Sequence, residues 1–337
     1  MKKAFFRSFA AAMLVLTLGT ALFGCDSPSQ REAVKIGVSI YKGDDTFISA
    51  MMESFMASAA AFEEETGVRV NISIADANES QATQNDQIGR FLALDYDVLC
   101  VNLVDRTDAG GIIDRARDAG VPVVFFNREP VQEDMLKWND ILYVGSDARE
   151  SATLEAEIVI HRYKDDPSSI DFNGDGIIQY IMLEGERRHQ DAIIRTEVSV
   201  ETLKQAGFRM EKLDGGIANW NRDQAAALTE AYLTAYGDQI ELILCNNDDM
   251  ALGAADAVDR LGLSFCNIVG IDGTDKGLAA VEAGKLLGTV VMDLPAHGKA
   301  IFEAAYAFAT GANPADTLDV RADRSIRIPM YIESCEP

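Results

Sequence analysis

The most chemically explicit run in the chain is Asp171-Phe172-Asn173-Gly174-Asp175-Gly176-Ile177-Ile178-Gln179. It matches D-x-[DN]-x-[DN]-G, a spacing that lines a tight loop with oxygens and puts glycine at the sharp turn. Asp171, Asn173 and Asp175 offer side-chain oxygens, Ile177 its backbone carbonyl and Gln179 its amide oxygen. A site of about seven oxygens suits Ca²⁺ better than Mg²⁺. The helix–loop–helix version of this loop closes on a bidentate Glu at its twelfth position, where this chain has Met182, and a strand-like run follows instead of a helix. A bidentate carboxylate must therefore come from elsewhere in the chain. The plainer alternative is an Asn-Gly, Asp-Gly turn with no metal.

A second group of polar residues opens a helical run at Gly185-Glu186-Arg187-Arg188-His189-Gln190-Asp191-Ala192-Ile193-Ile194-Arg195. Asp191 and Arg195 are spaced to touch on one helix face. Trp220 sits in an unusually polar setting (Asn219-Trp220-Asn221-Arg222), and Phe47 follows Asp45 in a similar one. Carboxylates, amides, a guanidinium and flat aromatic faces together suit a pyranose. Its hydroxyls both donate and accept, and its C–H faces pack on rings. Read one at a time, these residues are equally at home as helix caps, turn residues or a surface ion pair.

The elements that must position these groups alternate. Strand-like runs occur at 34–40, 68–74, 98–102, 121–126, 141–144, 178–183, 208–213, 242–246, 268–271 and 289–292. Helical periodicity covers 47–65, 148–163, 192–205, 225–236 and 251–261. A further helical run at 295–310 precedes a final strand-like stretch, 326–332. Repeated β-α-β units of this kind predict an α/β fold of two doubly wound, parallel-sheet lobes. Ligands of such sheets bind beyond the carboxyl ends of strands. There the sequence has Asp44, Asp45, Asn102, Asn246, Asn247 and Asp272.

Composition narrows the function classes. The 337 residues carry 54 acidic and 30 basic side chains, a formal charge of −24, which argues against nucleic acid and against anionic lipid as partners. Three histidines, and five cysteines with no C-x-x-C pair, argue against zinc and thiol–disulfide chemistry. No G-x-S-x-G, phosphate-binding loop, G-x-G-x-x-G or H-E-x-x-H motif occurs, so the chain reads as a binder and not an enzyme. Carboxylates alone keep a glycosidase open as a rival. Cys100 and Cys245 fall in apolar strand runs, as buried thiols would. Lys2, Lys3 and Arg7 precede an apolar run to Phe23, the pattern of a secretory signal. Leu22-Phe23-Gly24-Cys25 resembles a bacterial lipobox, with Phe23 bulkier than usual. Cys25 would carry the lipid and residues 26–33 would form a tether, placing the protein on the periplasmic side of a membrane.

Over Val34 to about Tyr331 the chain resembles the bacterial D-galactose/D-glucose-binding proteins of periplasmic sugar transport. The resemblance rests on Ile36-Gly37-Val38, Asp44-Asp45-Thr46-Phe47, Asn102-Leu103-Val104-Asp105, Val121-Pro122-Val123-Val124-Phe125-Phe126-Asn127 and Cys245-Asn246-Asn247-Asp248. It implies the type I periplasmic binding protein fold, two lobes joined by three hinge crossings. The N-terminal lobe would take 34–125 and 295–326, and the C-terminal lobe 126–294 and 327–337. By the same resemblance Asp45, Phe47 and Asn102 hold a buried sugar from one lobe. His189, Asp191, Arg195, Trp220, Asn247 and Asp272 hold it from the other. Glu241 would complete the calcium loop. Met292 stands where the family has a sugar-bonding Asn. A thioether is no donor, and the lost bond would cost about 1 kcal/mol. The resemblance further implies a monomer that delivers D-glucose or D-galactose to the permease and ATPase subunits of an importer, with a chemoreceptor as a further partner. Ribose or xylose would be the alternative sugars. A transcription-factor core of the same lobe architecture is disfavoured by the signal segment and by the absence of a helix-turn-helix before Val34.

Overall fold

The computed structural model describes residues 33–335 apart from 266. The signal segment, Cys25 and nearly all of the tether lie outside the described residues. Among the described residues no helix is long and apolar enough to cross a membrane.

The first sheet contains β1 (Val34–Ile40), β2 (Val70–Asp76), β3 (Val98–Val101), β4 (Val123–Phe126) and β5 (Ile141–Gly145). The second contains β6 (Ile178–Glu184), β7 (Met210–Ile217), β8 (Leu242–Cys245), β9 (Ile268–Asp272) and β10 (Gly288–Met292). Each gains a late strand: β11 (Ser325–Arg327) joins the first and β12 (Met330–Ser334) the second. The orders are β2-β1-β3-β4-β5-β11 and β7-β6-β8-β9-β10-β12, so the lobes repeat one topology. All pairings are parallel except β10 with β12. Central strands are buried on both faces, which is why β3, β4 and β8 read as unbroken apolar runs.

The helices are α1 (Thr46–Thr66), α2 (Gln81–Ala93), α3 (Ala109–Ala119), α4 (Gln132–Met135) and α5 (Ala148–Asp165), followed by α6 (Gln190–Gln205), α7 (Arg222–Tyr236), α8 (Asp248–Arg260), α9 (Asp275–Glu282) and α10 (Leu294–Ala309). Against the first sheet, α1 packs beside α10 on one face, and Ile88 of α2 and Ile112 of α3 fill the other. On the second sheet α5 and α6 cover one face, and α7, α8 and α9 the other. Most helices start on a residue that also ends a strand–helix turn, with its side chain accepting the first free amides: Asp45, His189, Asn221 and Asn247 all do so. Gly67 and Gly120 end α1 and α3 in the left-handed conformation, at φ 70° and 68°.

Two expectations need correction. The first crossing between lobes is not at residue 125: Ile141–Gly145 pairs in register with β4, so the first sheet continues through Gly145. A short apolar strand carries no mark of which sheet it joins. The stretch 326–332 is not one strand either. It divides at Ile328–Pro329, because proline has no amide to continue a ladder, and its halves pair in different sheets. The chain thus changes lobes after Gly145, at Asp293 and at Pro329. These crossings are tied together: the Ser146 hydroxyl donates to the Ile328 carbonyl at 3.1 Å and lies 3.1 Å from His297 Nε2. The Arg327 guanidinium donates to the Ser146 carbonyl at 3.3 Å.

Candidate functional site

The carboxyl ends of the two sheets face each other across a cleft, and most of the sequence candidates meet there. Asp45, Phe47, His189, Asp191, Arg195, Trp220, Asn247 and Asp272 border one cavity. Tyr41, Ile48, Asn127 and Arg128 complete the lining. Its volume is about 40 Å³, room for a few waters. A larger concavity of about 970 Å³ lies at the other end of the first sheet, by Tyr96, Pro122 and Arg324, and no candidate residue borders it.

Several lining residues cap a helix and face the cavity at once. Asp45 accepts the Ile48 amide at 2.9 Å through one oxygen and the Tyr41 hydroxyl through the other. Asn247 accepts the Met250 amide at 3.0 Å, which leaves its amide nitrogen to donate. His189 Nδ1 accepts the Asp191 amide at 3.1 Å, so the ring proton is on Nε2. Burial, with Arg128, Arg195 and Arg106 nearby, pushes the His189 pKa well below its usual range. The imidazole is neutral at pH 7 and donates from Nε2. His189 also meets Trp220 edge-to-face, with centroids 5.0 Å apart.

Arg195 is the charged centre of the second lobe. Its Nη1 donates to the Asn246 carbonyl at 2.7 Å, and it stands 3.7 Å from Asp191 and 3.8 Å from Asp272. Burial raises the pKa of both carboxyls, against the attraction of Arg195. Asp272 holds φ at 131°, outside the range most side chains tolerate. Its position is fixed from below: the buried Asp248 carboxylate accepts the Thr274 amide at 2.7 Å and the Thr289 hydroxyl at 2.5 Å. Asn127, Asn219 and Trp220 also have positive φ. Three of these residues, Asn127, Trp220 and Asp272, border the cavity, where packing has to hold the strain. Trp220 lies directly over Gly185, where a Cβ would meet the indole at 2.2 Å.

Two candidates fall outside the lining. Asn102 is fully buried behind it: its oxygen accepts the Tyr41 amide at 3.2 Å, and its nitrogen donates to Asn127 Oδ1 at 3.0 Å and the Phe126 carbonyl at 3.2 Å. With its side chain spent on those bonds, Asn102 positions Tyr41 and Asn127. Met292 is 5% exposed and belongs to the apolar core that draws on both lobes. Of the lining residues not singled out from sequence, Ile48 lies in the first turn of α1, and Tyr41, Asn127 and Arg128 sit just past β1 and β4. The strand-end rule that located Asn102 and Asn247 points to them as well.

At the loop 171–179, Glu241 is fully buried, and its oxygens accept the Asn173 and Gln179 amides at 3.2 and 3.1 Å. Asp171 accepts the Gly174 and Gly176 amides at 2.8 and 3.0 Å, and Gln179 bonds both Asn173 and Asp175. Glu241 and the loop side chains therefore gather round one turn, and burial, with Asp171 close by, raises the Glu241 pKa. Among the described residues no three acidic, imidazole or thiol side chains alone form a metal cluster. Amide and carbonyl oxygens would have to share the coordination, which a hard cation accepts.

The comparisons with known proteins bear on this cleft. Residues 36–313 match the family model described as periplasmic binding protein domain. The chain is 33% identical over 331 residues to the D-galactose/methyl-galactoside binding periplasmic protein MglB of Haemophilus influenzae, covering 98% of this chain and 96% of that one. It is 32% identical to a putative rhizopine-binding protein of Rhizobium meliloti, covering 92% and 91%. Among solved structures it is similar to an ABC transporter solute binding protein from Bacillus halodurans with bound myo-inositol, at TM-score 0.74, 27% identity and coverage of 89% and 94%.

Proposed function

From the premise that the chain belongs to the periplasmic binding protein family, we propose that it captures D-glucose or D-galactose between its lobes and delivers it to an ATP-driven importer. One observation carries this reading. Eight residues suited to a pyranose, from both lobes, border a single interlobe cavity. Asp45, Asp191 and Asp272 accept from sugar hydroxyls, while Arg195, Asn247 and the neutral His189 donate to them. Phe47 and Trp220 offer apolar faces to the ring.

The mechanism is hinge closure. A sugar binds one lobe of the parted form, and the second lobe then completes its hydrogen bonds. The sugar favours the closed form only by the contacts it gains there. The hinge touches the site, since His297, bonded to the crossings, meets Phe47 edge-to-face at 6.4 Å. The closed surface is what permease subunits, and a chemoreceptor if one participates, would recognise. The chain binds and releases its ligand unchanged, as a transport component and not a glycosidase.

The loop residues fit calcium by their donor chemistry: Asp171, Asn173, Asp175, Gln179 and Glu241 by side chain and Ile177 by its carbonyl. The cation would stabilise the second lobe, away from the cleft. Cys25 would anchor the protein by a lipid on the periplasmic side of the membrane.

Trp220 fluorescence titrated with D-glucose, D-galactose, D-ribose and myo-inositol tests the reading. A saturable change with one of the two hexoses at lower concentration than with ribose or inositol supports it. A response to myo-inositol alone, the ligand of the 27% identical structure, would move the assignment to cyclic polyols.

A further inference from the structure

Beside the sugar cavity lies a second one of about 240 Å³. The two share Arg128, His189 and Asp191 as a common wall. Four arginines, Arg106, Arg128, Arg187 and Arg188, border the second cavity in a chain of net charge −24.

The acidic residues of this lining are already committed. Glu186 pairs with Arg128 at 2.8 Å, and Asp105 lies 3.7 Å from Arg188. Glu129 pairs at 2.6 Å with Arg327, and Asp191 lies 3.7 Å from Arg195; both of these arginines stand outside the cavity. Among the described residues, Arg106 and Arg187 have no carboxylate within ion-pair distance. Arg106 is held at its Nε by the Glu129 carbonyl at 3.0 Å, which fixes the guanidinium without neutralising it. Arg128 is 7% exposed, yet its Nε has no hydrogen-bond partner among the protein's groups. Four arginines face four carboxylates in this lining, and Arg106 and Arg187 are the two cations left to meet an anionic acceptor.

We infer that this cavity is a subsite for an anionic substituent, a carboxylate or a phosphate, carried by the sugar in the adjoining cavity. The inference rests on the sugar reading and narrows it to hexose derivatives with a negative group. Arg106 and Arg187 supply the charge, and Arg128 marks the boundary between ring and substituent. In so acidic a chain, these arginines would also offset the long-range repulsion that an anion meets on approach.

The test is calorimetric titration of the calcium-loaded protein with D-galactose, D-glucose, their 1- and 6-phosphates, and D-galacturonate and D-glucuronate. The expected result is that at least one anionic derivative binds more tightly than its parent hexose. The double variant Arg106→Gln/Arg187→Gln should weaken that derivative at least tenfold and leave the parent hexose within twofold. The uronates and the phosphates form separate arms that identify the anion. If every anionic derivative binds more weakly than its parent, the subsite inference fails and the hexose reading stands. The same holds if the double variant leaves the anion's affinity unchanged. If neither class binds, both fail.

Discussion

Arg128 of the first lobe and Glu186 of the second meet at 2.8 Å across the cleft. The Arg128 guanidinium also lies 3.6 Å above the Tyr41 ring, and the Tyr41 hydroxyl donates to Asp45. A continuous path therefore runs from the second lobe through Arg128 and Tyr41 to Asp45, a carboxylate that lines the cavity. Glu186 and Tyr41 keep the buried Arg128 firmly charged, outweighing the opposing effect of burial. Because the pair forms only when the lobes are together, it contributes to the closed form alone. Glu186 is 29% exposed, so the contribution is moderate. Glu186→Gln is expected to cost about 1 kcal/mol of closure, roughly fivefold in Kd, with melting temperature little changed. Calorimetry and thermal melting of the variant check this.

Gly185 and Trp220 give a sharper steric test. An added methyl would sit 2.2 Å from the indole, closer than real Cβ contacts, so Gly185→Ala must displace the ring. Sugar affinity should drop at least tenfold, while far-ultraviolet circular dichroism is unchanged. An unaltered Kd would show that Trp220 does not hold the sugar.

Glu155 on α5 is fully buried. Burial pushes its pKa well above the usual carboxylate range, against the attraction of Arg195. Below the unfolded value of about 4.3 both states are protonated and no difference arises. As pH rises past it, the unfolded chain releases a proton that the native state keeps, and stability falls. Glu155→Gln should therefore gain stability relative to wild type as pH increases from 4 to 8, read by urea denaturation. A difference independent of pH would contradict this account.

Calcium should raise the melting temperature, and a chelator should lower it. At a hundredfold excess over Kd the gain is about 2.7 kcal/mol, or several degrees for a lobe of this size. Glu241→Gln should abolish most of the shift without altering sugar stoichiometry.

How far the sequence carries can be seen at particular residues. The strand–helix alternation was legible because parallel strands buried on both faces appear as short apolar runs. Strand ends rich in Asn and Asp located Asp45, Asn247 and Asp272 of the cleft. Membership of a sheet was not legible: Ile141–Gly145 looks the same in either lobe, and only pairing with β4 assigns it. Asn102 could not be told from a ligand-facing amide, since its bonds to Tyr41 and Asn127 depend on chain segments far apart in sequence. Met292 shows the same limit. Its position at the end of β10 suggests the cleft, whereas its side chain belongs to the apolar core that draws on both lobes. The positive φ at Asp272 and Trp220 has no sequence mark, because neither is a glycine.

The central claim is a hexose held between the lobes, and calorimetric titration of the mature, calcium-loaded protein with D-galactose and D-glucose tests it most directly. The account predicts saturable binding of one sugar per chain at micromolar Kd or tighter for at least one of the two, with no product formed. A folded protein that releases no heat with either hexose would contradict it.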